Sequence, residues 1–298
     1  MKVINLTKQN TTYTSNAYFI RGDWNTLEDK NALIDTGRDP VLFHELDNLY
    51  TGVGKTKIER VLLTHGHYDH TGNLKEILTR WNPEVFAYSE SLQVPAIKIN
   101  DGDNIRIGDR IARVIACPGH SSDSVCFYVS EERALFSGDT QLTNLKDVKY
   151  DESFYTCLEK ISQLDVQIIY PGHGRPITQE CNLKIRESLK NISQNGLSEI
   201  RLTRADVHKS HYDWIDIESE FVRIGKIRCE LGRNIVKIFS ITVYPEFERR
   251  GFARRTIEHF KMKYNIIVAD RVRPSAQEFW EKMEFSEDLH GNYVWEKI

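Results

Sequence analysis

The sequence predicts an α/β domain followed by a smaller α+β domain, on three observations. Over the first two thirds of the 298 residues, short strand-like runs alternate with amphipathic helical segments. The stretch "SQNGLS" then brings Asn195-Gly196, a turn or linker signal that separates domains 1–195 and 196–298. Beyond it the pattern starts afresh with a meander of strands and two helices, and the length suits about two domains.

The elements follow from periodicity. "NAYFI", "NALID", "ERVLLT", "EVFAYS", "RIARVIAC", "SVCFYV", "RALFSG" and "VQIIYPG" read as strands ended by Gly, Asp, Pro or Ser. "PVLFHELDNLY", "TGNLKEILTRW" and "SFYTCLEKISQL" carry apolar residues three and four apart, as amphipathic helices do. Asp101-Gly102 reads as a hairpin turn, and a helix over about 178–193 closes the first domain. In the second, "EFVRIGKIRCELGRNIVKIFSITV" reads as three strands, with turns at Gly225 and at Gly232-Arg233-Asn234. One helix places Ala253, Ile257 and Phe260 on a single face. After the strand "NIIVAD", another sets Ala276, Phe279, Trp280 and Met283 at helical spacing.

Composition excludes some classes. No apolar run reaches 18 residues, so no membrane span is expected, and "MKVINLTKQN" lacks the apolar stretch of a signal peptide. Five scattered cysteines without a C-x-x-C pair favour reduced thiols and a cytoplasmic setting. A net charge of −3 argues neither for nor against nucleic acid, since a basic patch can sit on a near-neutral protein. A small-molecule substrate is the leading expectation, nucleic acid the weaker one, and a homo-oligomer is left open.

The chemistry concentrates in "THGHYDHTG", which puts His65, His67, Asp69 and His70 within six positions after an apolar strand. Other strands deliver polar residues at their ends too: "VIACPG" leads to His120, "ALFSG" to Asp139 and "IIYPG" to His173. Loops leaving one edge of a sheet converge, and convergence builds sites. Imidazole and carboxylate donors suit Zn²⁺, with iron or manganese as alternatives. His65 and His67, two apart, can face one ion; Asp69 and His70, at the next helix start, can face a second. A bound ion would lower the pKa of its water to about 7, so hydrolysis is the expected chemistry. Asp69 and Asp139 are the candidate catalytic groups, orienting the nucleophile or passing a proton. Tyr68, inside the cluster, is read as loop packing.

The H-x-H-x-D-H run, "PGH", "SGDT" and "PGHG" resemble, in that order, the metallo-β-lactamase fold superfamily over residues 1–195, with "NALIDTG" matching at Asp35. The resemblance implies an αββα sandwich with two metal ions at one edge. It implies that His65, His67 and His120 hold one ion, Asp69, His70 and His173 the other, with Asp139 bridging and Asp35 behind the ligands. His67 in place of Glu speaks against the family's oxygen-reducing branch, and Asp139 in place of Cys against antibiotic hydrolysis. The site instead resembles the family's glyoxalase-II-like thioesterases, lactonases and nucleases, which implies a hydrolase of an ester, a lactone or a thioester, the last acyl-CoA or glyoxalase-II-like, with a phosphodiesterase or ribonuclease as the alternative.

In the second domain, "ITVYPEFERRGFARR" followed by "SAQEFWEKMEF" resembles the GNAT acetyltransferase family over residues 197–298. Arg250, Gly251, Phe252 and Ala253 match the loop that there holds the pyrophosphate of acetyl-CoA, so CoA or acetyl-CoA is the implied ligand. Glu248, Ser275 and Trp280 depart from the pattern, Trp280 replacing the Tyr general acid. The fold's N-terminal helices are expected, compressed, in "RADVHKSHYDWIDIESEF". An acetyltransferase with a scaffold-like first domain is the remaining alternative.

Overall fold

Along "SVCFYV", Val125, Phe127 and Val129 enter one core while Cys126 and Tyr128 enter another. A strand buried on both faces belongs to a sheet covered on both sides. That is the plan of the first of two compact units, Met1–Gly196 and Leu197–Ile298, in the computed structural model of the chain. The structure describes all residues except 89–91, 146–148, 197, 206–209, 221 and 298.

The first unit runs β1 (Lys2–Asn5), β2 (Tyr18–Arg21), β3 (Ala32–Ile34), α1 (Val41–Asn48), β4 (Arg60–Leu62), α2 (Tyr68–Thr71), α3 (Leu74–Trp81), β5 (Glu84–Ala87) and β6 (Ile97–Lys98). It continues with β7 (Asn104–Ile107), β8 (Arg110–Ala116), β9 (Val125–Val129), β10 (Ala134–Gly138), α4 (Glu152–Ser162), β11 (Ile168–Pro171) and α5 (Cys181–Asn195). Strands β1 to β6 form one sheet in sequence order, and β11-β10-β9-β8-β7 the other. The sheets share a core of Ile20, Ile34 and Leu62 from the first with Val114, Phe127 and Phe136 from the second. Leu42 and Leu46 of α1 and Leu74 and Ile77 of α3 cover the outer face of the first sheet. Phe154, Leu158 and Ile161 of α4 and Ile185 and Ile192 of α5 cover that of the second. The layers are therefore helix, sheet, sheet, helix.

Strand direction positions the site. Strands β3 and β4 are parallel, as are β10 and β11, and β8 lies antiparallel to β9, which lies antiparallel to β10. Strands β8, β10 and β11 therefore all end at one edge of their sheet.

Two expectations for this unit are corrected. Asp101-Gly102 is a turn, but β6 pairs with β5 and β7 with β8, so it joins two sheets and closes no hairpin. Cys117 and Cys157, expected as thiols, form a disulfide within the buried α4 layer, with Cα atoms 5.3 Å apart. Cys126, Cys181 and Cys229 are free and buried.

The second unit contains β12 (Ile200–Ala205), β13 (Asp213–Ser219), β14 (Val222–Leu231), β15 (Ile235–Val243), α6 (Phe252–Lys263), β16 (Ile266–Ala269), α7 (Pro274–Lys282), β17 (Ser286–Glu287) and β18 (Tyr293–Glu296). Its sheet has the order β12-β13-β14-β15-β16-β18-β17. Ile257 and Phe260 of α6 and Trp280 of α7 pack on it with Ile227, Val236 and Ile267. Gly225 makes no turn: it lies within β14, opposite Ile217 and Val243, so two strands stand where three were expected. The expected compressed helices are not seen either. Asp213–Ser219 is strand, with Ile215 and Ile217 buried; residues 206–209 and 221 lie outside the described residues. Among the described residues no helix is long and apolar enough to cross a membrane.

Candidate metal centre

The centre forms where four strand exits meet. Strand β4 leads through Thr64 into His65, and His67 caps α2, which carries Asp69 and His70. Strand β8 leads to His120, β10 to Asp139 and β11 to His173. His65 and His70, 3% and 0% exposed, form the floor, while His67, His120 and His173 stand toward solvent.

The side chains fall into two groups, His65-His67-His120 and Asp69-His70-Asp139-His173, with donor atoms in each within 4.8 Å of one another. Asp139 touches both: its Oδ2 is 3.4 Å from His120 Nε2 and 3.5 Å from His173 Nε2, and its Oδ1 is 3.1 Å from His70 Nε2. His120 Nε2 lies 3.0 Å from His67 Nδ1, and His173 Nε2 3.1 Å from Asp69 Oδ2. All seven residues singled out in the sequence are thus brought together. Tyr68 is 68% exposed, beneath the Arg38 guanidinium.

Buried partners set the tautomers. Thr64 donates its hydroxyl proton to Asp35 Oδ2 at 2.7 Å, so it accepts from His65 Nδ1 at 3.1 Å and turns His65 Nε2 inward. His70 Nδ1 donates to Asp35 Oδ2 at 2.8 Å, turning its own Nε2 inward. Such carboxylate-imidazole pairs orient metal ligands. Burial, then the neighbouring imidazoles, push the His65 pKa down to about 2, so the ring is neutral. Burial opposes a charge on His70, but Asp35 and Asp139 outweigh it and raise its pKa to about 10, so a bound cation would take the place of its Nε2 proton. Burial likewise opposes ionisation of Asp139, yet hydrogen bonds from His173 and His70 hold its carboxyl far below the usual range.

The residues fit divalent cations. His65 Nε2 is buried without a hydrogen-bond partner, and His70 Nε2 and Asp139 Oδ1 are buried with only each other, at 3.1 Å, as close neighbours, although buried polar atoms ordinarily have well-formed partners. All three face the centre, and the nitrogen-oxygen donor set suits zinc and iron alike. The fit is close: a Cβ on Gly172 would lie 2.2 Å from Asp139 Oδ1 and 2.7 Å from His70 Cε1.

Three contributors carry no signal in the sequence. Tyr13 stacks on His173 with centroids 5.0 Å apart and its hydroxyl 3.4 Å from Nε2. Asp123 accepts from Gly66 N at 2.9 Å and from Ser121 Oγ at 2.7 Å, tying the His65–His70 loop to the His120 loop. Asn16 Nδ2 donates to Pro171 O at 2.8 Å and Gly174 O at 3.0 Å, pinning the turn that bears His173.

In the second unit, Gly251 caps α6 at φ +79° with open space around it. Phe252 is buried in the core, Arg250 stands over the Phe247 and Phe252 rings, and Ala253 lies in the first helical turn. Pairing of β15 with β16 stops at Ile238–Ala269, although β15 runs on to Val243. Where the two strands part there is a cavity of about 320 Å³, with Ser240, Thr242 and Trp280 in its wall.

A two-sheet sandwich with helices outside and a histidine-aspartate centre at one edge defines a class of metal-binding α/β proteins. The chain belongs to the metallo-beta-lactamase superfamily, whose family model matches residues 10–173. It is 33% identical over 181 residues to the lactamase-like protein adaB of Aspergillus niger, covering 60% of this chain and 55% of that protein. It is 36% identical over 170 residues to an atrochrysone carboxyl ACP thioesterase of Aspergillus fumigatus, covering 54% and 52%. It is 39% identical over 127 residues to a hydroxyacylglutathione hydrolase of Francisella tularensis, covering 40% and 50%. The chain thus spans about half the length of these curated relatives. Among solved structures, a metallo-beta-lactamase family protein of Thermus thermophilus aligns with TM-score 0.49 and 18% identity, over 65% of this chain and 79% of that one.

Proposed function

We propose that the first unit is a dinuclear-metal hydrolase that cleaves thioesters. The observation that carries this reading is Asp139, whose two oxygens reach both ligand groups. The similarity to an acyl-carrier thioesterase and to a hydroxyacylglutathione hydrolase supports the thioester over other acyl bonds. Zinc is the proposed metal, with iron fitting the same donors. A bound pair of divalent ions supplies Lewis acidity and a water acidic enough to ionise near neutrality.

The chain's own residues do the rest. His65 and His70, locked by Thr64 and Asp35, present fixed donors. Asp139 spans the two groups, and Asp69, half-buried beside His173, is placed to orient the attacking water and return a proton to the leaving thiolate. The exposed edges of His67 and His120 leave the centre open to a small-molecule substrate.

The second unit is read as a GNAT-like, CoA-binding module. The parting of β15 from β16, the cavity between them and the open first turn of α6 at Gly251 support that reading. Exposed backbone N–H groups at a helix start attract phosphate.

The test is a panel of acyl-CoA, glutathione thioesters, lactones and a phosphodiester, assayed with metal-loaded protein and with Asp139→Ala. Thioester cleavage lost in the variant is the expected result. Turnover confined to lactones, or to the phosphodiester, would overturn it.

A further inference from the structure

A cavity of about 810 Å³ adjoins the metal centre and has His173 and Tyr13 in its wall. Its volume is that of a site for a ligand of several tens of atoms. Its floor is fixed beforehand: Tyr18 donates to Pro171 O at 2.8 Å, beside the two bonds from Asn16 that hold the same turn. Tyr18 and Tyr170 give it an aromatic side, their rings 5.2 Å apart. The charge in its lining has one sign. Lys8 and Arg175 line it, both exposed, and no Asp or Glu does. Among the described residues neither cation has an acidic partner, in a chain whose carboxylates outnumber its Lys and Arg.

A thioester has two arms, the acyl group and the thiol, which leave the reacting carbonyl in different directions. Among the described residues, two cavities that adjoin the centre can receive them. The second, about 310 Å³, shares His173 and contains His120 and Asp139 but no Lys or Arg. An anionic group therefore meets no Lys or Arg there and two cations in the larger cavity. We propose that the larger cavity binds an anionic arm of the substrate, with Lys8 and Arg175 holding a phosphate or carboxylate and so setting specificity. This rests on the thioesterase reading. The anion has two sources: the phosphate of a phosphopantetheine thiol, or a free carboxylate on the acyl group.

Four substrates for the metal-loaded full chain separate these. Propionyl-pantetheine and its 4′-phosphate test the thiol arm; propionyl- and succinyl-N-acetylcysteamine test the acyl arm. The expected result is a KM about tenfold lower for one anionic member than for its neutral partner, the size of one charge-assisted contact. In Lys8→Glu/Arg175→Glu that ratio falls to one or below, while folding, followed by circular dichroism, is unchanged. The pair that shows the ratio names the source. Cleavage of all four with equal KM values, or a ratio that survives the double variant, would overturn the inference and leave the thioesterase reading standing. If none is cleaved, that reading fails, and calorimetry with the matching thioethers decides the inference. Anion-dependent binding weakened by the double variant supports it; equal binding of neutral and anionic thioethers, or none of either, overturns it.

Discussion

His70 and Asp35, both buried, share a hydrogen bond of 2.8 Å that points the free nitrogen of His70 at the metal centre. Asp35 also accepts from Thr64 N and Oγ1 and holds a left-handed backbone at φ +54°, a conformation non-glycine residues adopt at a cost. Replacing Asp35 by Ala frees the His70 ring and the Thr64 hydroxyl together. Zinc affinity, read by competition with a chromophoric chelator, is expected to fall by about 10–100-fold.

Gly172 gives a steric test. An added Cβ would collide with Asp139 and His70, whereas at Gly174, two residues on, it meets nothing within 4 Å. Gly172→Ala is expected to cost about 1–3 kcal/mol by overpacking and to lose metal. Gly174→Ala carries only backbone strain, since φ is +84°, of about 1–2 kcal/mol, with metal retained. Urea unfolding and metal analysis of the pair separate steric from conformational cost.

Asp39 predicts an acid limit to stability. Its carboxylate, 1% exposed, accepts from Thr11 N, Thr12 N and Val41 N at 2.7–2.9 Å. Burial would raise its pKa, but these hydrogen bonds outweigh it and lower it to about 2. A depressed folded-state pKa means stability that is complete above the unfolded value and lost as pH falls through the folded one. Wild-type stability should therefore drop between about pH 4 and about pH 2. Asp39→Asn should flatten that slope and cost about 1–3 kcal/mol at neutral pH.

The Cys117–Cys157 disulfide joins the chain just before His120 to α4, across a sequence separation of 40. Cys157→Ser is expected to lower unfolding free energy by about 2–4 kcal/mol, measured without reductant. Equal stability of variant and wild type would show that the bond is not formed in solution.

What the sequence reveals depends on how far apart the interacting residues lie. The centre is readable because each candidate ligand follows an apolar strand, and ligand chemistry restricts the residue types. Asp123 and Tyr13 are invisible, since they act on partners 57 and 160 positions away through contacts that many residue types could make. Gly225 is misread for a related reason. Glycine signals a turn locally, yet here a Cβ would sit 2.4 Å from Thr242 O on the neighbouring strand. "DWIDIES" carries a two-residue alternation, with Ile215 and Ile217 on the buried face, and resemblance to a helical segment overrides it. At Asp101-Gly102 the turn is local, but the choice of partner strands is not.

Anomalous diffraction from crystals grown with zinc tests the dinuclear centre most directly. Two peaks roughly 3.5–4 Å apart are predicted, one among His65, His67 and His120, the other among Asp69, His70 and His173, with Asp139 between them. A zinc-saturated crystal with no peak among these side chains would contradict the account.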